Sequence, residues 1–180
     1  MKKILLFLGI IIIMLTGCKN MSNTPIAKVE NFMEKYQSMD NGVLNQLDSI
    51  IKNRKDLTDE QKSDYRFLMK KQYQNLSYTI KNEIISDNSA NVVVEVETYD
   101  YRNAINKSEQ YFNTNKDEFM KKDGSINLEK YWDYRIEEMT KVNDRIKNEV
   151  VFTLHKEKDK WELEDISDTD REKIHGLFKE

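Results

Sequence analysis

One thiol, two imidazoles and a few carboxylate pairs are the side chains of this 180-residue sequence that could do chemistry. Cys18 is the only cysteine, so a disulfide within the chain is excluded and any thiolate chemistry falls on this one sulfur. His155 and His175 have no His or Cys at ligand spacing, and two imidazoles do not make a zinc site. Both are expected to be surface or packing residues. Glu95 and Glu97 stand two apart, which on a strand points both to one side. Such a pair suits a cation, or more simply a solvated face. Asp123-Gly124-Ser125-Ile126 has the form of the second half of a calcium loop, but the register fails. Phe119 and Lys121 occupy the first and third ligand positions and Lys130 the bidentate one, so a turn is expected. Tyr99-Asp100-Tyr101 sets an acid between two phenols at a predicted strand end. No Gly-x-Ser-x-Gly elbow is present, and Gly42, Gly124 and Gly176 are too dispersed to cradle a phosphate. No catalytic constellation, metal or cofactor is expected.

The surroundings of the thiol define its role. Lys2 and Lys3 precede an unbroken apolar run, residues 4–15, and Leu15-Thr16-Gly17-Cys18 follows. Twelve residues of helix extend only about 18 Å, short of a hydrocarbon core of roughly 30 Å, so the run reads as a secretory signal rather than a lasting span. Leu15-Thr16-Gly17-Cys18 resembles the lipobox of bacterial lipoproteins. The resemblance implies a diacylglycerol on the Cys18 sulfur and cleavage just before it. Residues 1–17 would then be a signal peptide, 18–24 the lipidated cysteine and tether, and 25–180 one folded domain. Loss of Lys2 and Lys3 with the leader moves the net charge from -3 to -5, so attraction to an anionic membrane adds nothing. The diacyl group itself implies stable anchoring at the extracytoplasmic face of the cell membrane.

The 34 % charged and 38 % hydrophobic content in a chain of this length allow a real core. The 29 basic residues against 32 acidic ones exclude a strongly basic nucleic-acid binder, and Lys70-Lys71 and Lys121-Lys122 form no continuous stripe. Thr24-Pro25 predicts a helix start, with Ile26, Val29, Phe32, Met33 and Tyr36 on one face and Asn41-Gly42 as its end. A second helix carries Val43, Leu44, Leu47, Ile50 and Ile51. Thr58 with Gln61 predicts a capping box opening a third, with Tyr65, Leu68, Met69 and either Gln72 or Tyr73 on one side. The period then falls to two. Leu76, Tyr78 and Ile80, the turn Asp87-Asn88-Ser89, and Val92, Val94 and Val96 predict an antiparallel hairpin with one wet face. Residues 104–146 predict helix again, with a stripe from Leu128 to Ile146. Val150–Leu154 and Trp161–Glu164 predict a second hairpin with a charged turn, and Thr169 with Glu172 a cap for a last short helix.

The N-terminal helices feeding a hairpin, and the closing pair with Trp161 opening the last strand, resemble small secreted lipoproteins of the nuclear-transport-factor-two-like, cystatin-like α+β superfamily. The resemblance covers most of residues 25–167 and rests on pattern rather than on a specific motif. It implies an α+β fold: N-terminal helices packed on a curved antiparallel sheet of two hairpins, a helical insertion between them, and a cone whose mouth can hold a ligand. Enzymes of that superfamily use an aspartate base with tyrosine or aspartic acid donors. Asp100 is the nearest counterpart, and Tyr78, Tyr99, Tyr101 and Trp161 are the other candidate lining residues. Three functions are expected in order: a membrane-anchored, non-catalytic binding or structural module at the cell envelope; a small-ligand pocket protein, isomerase or hydrolase; and a surface immunity or inhibitor protein. The last needs Glu95, Glu97, Glu162 and Glu164 to join in one acidic patch. The partners expected are the membrane, through lipid on Cys18, and an envelope protein or small ligand.

Overall fold

A computed structural model describes residues 23–178. Cys18 and the lipobox residues Leu15, Thr16 and Gly17 lie outside the described residues, as does the leader. The first helix, α1 (Pro25–Gln37), starts as its sequence dictates: the Thr24 hydroxyl accepts from the Ala27 amide at 3.1 Å, and proline fills the first turn. It buries Val29, Met33 and Tyr36. Its end differs from the expected one. Met39 adopts φ 54°, and Asn41-Gly42 opens α2 (Asn41–Lys52) under an Asp40 cap rather than closing α1. Asp40 is itself an N-cap former, and its carboxylate accepts the Gly42 amide at 2.8 Å. In α2, Val43, Leu47 and Ile51 face inward while Ile50 is exposed.

The capping box on α3 (Asp59–Asn75) forms as expected, with Thr58 and Gln61 bonded in both directions. The strands β1 (Ser77–Ser86), β2 (Ser89–Tyr99), β3 (Arg145–Glu157) and β4 (Lys160–Leu163) make one antiparallel sheet in the order β1-β2-β3-β4. The fold is therefore α+β with two hairpins and a helical insertion between them. That insertion comprises α4 (Tyr101–Thr114), a 3-10 turn at Lys116–Phe119 and α5 (Leu128–Thr140). The expected helix to residue 146 stops earlier, because β3 begins at Arg145 and pairs it with Tyr99. Val142 and Ile146 thus leave the helical stripe. The final helix, α6 (Asp168–His175), is capped by Ser167, whose hydroxyl accepts the Asp170 amide, not by Thr169.

One face of the sheet is dry. Val92, Val94, Val96, Val150, Phe152 and Leu154 are fully buried there, beneath α1, α3 and α6. Helices α2 and α5 pack in turn on α3, and α4 packs on α5. The opposite face is solvated. Glu95 is gripped by Lys81 at 3.2 Å and Lys147 at 3.1 Å, and Glu97 by Arg145 at 3.0 Å. The fully buried Gln72 joins the layers. Its amide donates to the carbonyls of Tyr99 at 3.0 Å and His175 at 2.9 Å, and its oxygen accepts the Tyr99 amide at 2.9 Å. Every polar atom of that side chain is used, as burial demands. Strand β2 and helix α6 are thereby fixed to α3.

Candidate functional site

The break at Met39 folds the start of α2 back toward the C-terminal half of α1. The chain leaving β4 and the first turn of α6 close the remaining side. Between them lies a cleft of ≈ 400 Å³ whose walls include Phe32, Lys35, Tyr36, Val43, Ile166 and Arg171. Asp40, Glu164 and Asp165 also reach it. The Tyr36 ring is buried, which raises the pKa of its phenol, while the positive charge of the neighbouring Arg171 guanidinium pulls the other way. Among the described residues Arg171 has no carboxylate within ion-pair distance.

Behind Tyr36 sits a packed ring cluster. Tyr73 meets Tyr36 edge-on, with centroids 5.1 Å apart, and the Tyr73 hydroxyl lies 3.2 Å from His175 Nε2. Burial drives the His175 pKa down to about 4, with Arg171 adding to the effect. Burial also pushes the Tyr73 phenol far above its ordinary range. Both groups are thus neutral at physiological pH, and neither is poised to exchange a proton there. The cluster stiffens the floor of the cleft. Sequence spacing placed His175 on the last helix, but its partners, Tyr36 and Tyr73, come from two other helices. The available signals were that Tyr36 falls on the apolar stripe of its helix and that His175 follows Ile174 in the last one.

The residues proposed for a cone-mouth pocket are distributed differently. Tyr78 is partly buried on β1 and Trp161 is buried on β4, the opposite edges of the sheet, and Tyr78 stands level with Asn148 of β3 whereas Trp161 stands level with Lys156. Asp100 caps α4 by accepting the Asn103 amide at 2.9 Å. Tyr101 is buried and donates to the Leu68 carbonyl at 3.3 Å. The Tyr99 ring stacks 6.0 Å from that of Tyr101 and lies under Lys71 and Arg145. Only Asp100 of the five is on the wall of the ≈ 210 Å³ cleft at the start of α4, with Lys107, Glu138 and Lys141.

Two other groupings emerge from strand register and helix packing. His155 stands directly across from Glu162, and these two with Glu157 offer ligand atoms within 4.8 Å of one another. All three are exposed on the wet face, and Glu164 lies 3.9 Å from the other ring nitrogen. His155 and Glu162 are brought together by pairing across the hairpin, so spacing along the chain does not reveal the cluster. The Asp123–Ile126 segment is a turn, with Gly124 at φ 82° and Asp123 accepting from the Ser125 amide and hydroxyl. Glu95 and Glu97 are neutralised by cross-strand cations, whereas Glu162 and Glu164 lie toward the other end of β3. The four do not join in one acidic patch.

The site is therefore a small cleft of mixed character on an α+β scaffold, with Phe32, Tyr36, Val43 and Ile166 beside the cations Lys35 and Arg171 and the acids Asp40, Glu164 and Asp165. No family model and no curated protein matches the chain. Among solved structures, the crystal structure of a Bacillus subtilis strain 168 chain, ycdA, described as a candidate lipoprotein, is similar at 20% identity. It covers 84% of this chain and 47% of that one, with a TM-score of 0.39, so this chain spans less than half of its length.

Proposed function

We propose that this chain is an exported lipoprotein, anchored through Cys18, that binds a small ligand in the cleft between α1, α2 and α6 without transforming it. The order of Lys2-Lys3, the apolar run and Leu15-Thr16-Gly17-Cys18 supports the anchor. Among the described residues no helix is long and apolar enough to cross a membrane. The observation that carries the binding role is the ≈ 400 Å³ cleft with Arg171 on its wall and no carboxylate paired to it. A binding role fits better than catalysis because Tyr36 on the wall, and Tyr73 and His175 behind it, are all held neutral, away from the pH at which a proton shuttle works.

Anchoring and binding are compatible in this geometry. Asn23 donates to the Asp159 carbonyl at 2.7 Å and accepts the Trp161 amide at 3.0 Å, so the chain enters the fold at the β3–β4 turn. Five residues from Cys18 to Asn23 reach at most about 18 Å, which would hold that turn near the bilayer. Tyr36 lies eleven residues beyond Pro25, about 16 Å along α1, so that wall of the cleft is at the far end of the helix, while Leu163 on the opposite wall follows two residues after Trp161. Two measurements test the reading. Radiolabelled palmitate should enter the wild-type protein in cells and not Cys18→Ser; equal labelling of both refutes the anchor. A small-molecule fragment screen by NMR on the purified full chain should move resonances of Tyr36, Val43 and Ile166; a screen in which no compound moves them refutes the binding role.

A further inference from the structure

We infer that the cleft selects a small monocarboxylate with an apolar ring or chain, its carboxylate on Arg171 and its body against Phe32, Val43 and Ile166. The inference rests on the binding role proposed above and names the ligand class. A guanidinium presents five donors in a rigid fork that matches a carboxylate, and a partly buried one ordinarily has an acid for a partner. Arg171 is partly buried on α6, yet the group set against it in the fold is the neutral Tyr36 hydroxyl. Most of its donor capacity is therefore open to the cleft. Lys35 on the same wall adds a second positive charge.

The rim restricts the anion further. Asp40, Glu164 and Asp165 line the same cleft, so a phosphate or a dicarboxylate meets three acids as well as two cations. A single negative charge on Arg171 meets less of that repulsion than a doubly charged group does. The rest of the ligand is then surrounded by the Phe32 ring and by Val43 and Ile166, which reward apolar surface. The ≈ 400 Å³ volume lies at the small end of the roughly 300–1,000 Å³ range of ligand sites.

Benzoate, its neutral isostere benzamide, and phenyl phosphate test this on the purified full chain, labelled with nitrogen-15. The readout is the Arg171 Nε–H resonance together with the Gly42 and Ile166 amides. Benzoate is expected to shift these saturably and to bind at least tenfold tighter than benzamide or phenyl phosphate. Arg171→Gln should weaken benzoate at least tenfold, and Arg171→Lys by less. Gln46→Trp, an exposed position at the mouth, should block benzoate while leaving the fold's spectrum intact. If Arg171→Gln does not fold, the comparison of benzoate with benzamide on the wild-type protein decides the matter. Benzamide binding as tightly as benzoate overturns the carboxylate inference and leaves the binding role standing. Phenyl phosphate binding more tightly than benzoate overturns the monocarboxylate choice. Failure of all three probes to move the cleft also overturns the inference, and the fragment screen then separately judges the binding role.

Discussion

Gly176→Ala strikes the joint that seats α6, and with it Arg171 and His175. Gly176 ends α6 in the left-handed conformation, φ 68°, and a Cβ built there runs into the Gln72 amide and the Tyr99 carbonyl, well inside contact distance. Three costs follow. The left-handed backbone costs an L-residue about 1–2 kcal/mol. Relieving the overlap requires movement of the backbone at Tyr99, since the Tyr99 carbonyl cannot rotate away, and overpacking of that kind costs about 1–3 kcal/mol. Gln72 loses ideal geometry to Tyr99 and His175, at about 1 kcal/mol per bond. The expected destabilisation is about 4–7 kcal/mol, a large share of the 5–15 kcal/mol typical of a folded protein. Equilibrium urea unfolding followed by circular dichroism measures it. Gly124→Ala is the control: φ is 82°, but no heavy atom lies within 4 Å of the added Cβ, so only the conformational cost of about 1–2 kcal/mol remains. A Gly176→Ala loss no larger than that of Gly124→Ala would refute the crowded joint described here.

Three further outcomes are expected. His175 has its pKa lowered from 6.5 to about 4 in the folded chain, so between those values the unfolded state takes up the proton first and stability falls as pH drops. The fall is at most about 1.4 kcal/mol per pH unit, and His175→Phe should remove that slope; parallel wild-type and variant curves from pH 6.5 to 4 contradict it. Trp132 lies between the guanidinium groups of Arg54 at 4.7 Å and Arg135 at 4.6 Å. Arg54→Ala should cost about 1 kcal/mol, and a double-mutant cycle with Trp132→Leu should show coupling, strict additivity being the contrary result. The Glu95 carboxyl, held between Lys147 and Lys81, titrates below the ordinary carboxylate range. Its NMR midpoint should climb toward that range in about 1 M salt, where exposed charges are screened; a midpoint indifferent to salt contradicts the ion-pair origin.

Much of the scaffold was legible because its signals are local. The Thr24-Pro25 start, the Thr58–Gln61 box and the alternation of Val92, Val94 and Val96 each act within a few residues, and each is in place. The errors fell where two local signals competed. Asn41-Gly42 reads as a helix stop, yet Asp40 before it is a good cap, and the cap prevailed. Residues 141–146 continue a helical stripe, but pairing of Arg145 and Ile146 with the end of β2 outweighs it.

By itself the sequence determined the α+β class, the order of helices and hairpins, and Cys18 as the lone thiol. These depend on periodicity, caps and composition. Tertiary structure decided where a ligand site is found. Phe32 and Tyr36 are separated from Ile166 and Arg171 by most of the chain, and only the packing of α1, α2 and α6 makes them neighbours. It also decided that Tyr78 and Trp161 stand at opposite sheet edges and that His155 faces Glu162, since strand order and register are set by pairing across the sheet. Propensity is a property of neighbours along the chain, whereas a cleft is formed by residues that become neighbours only after folding.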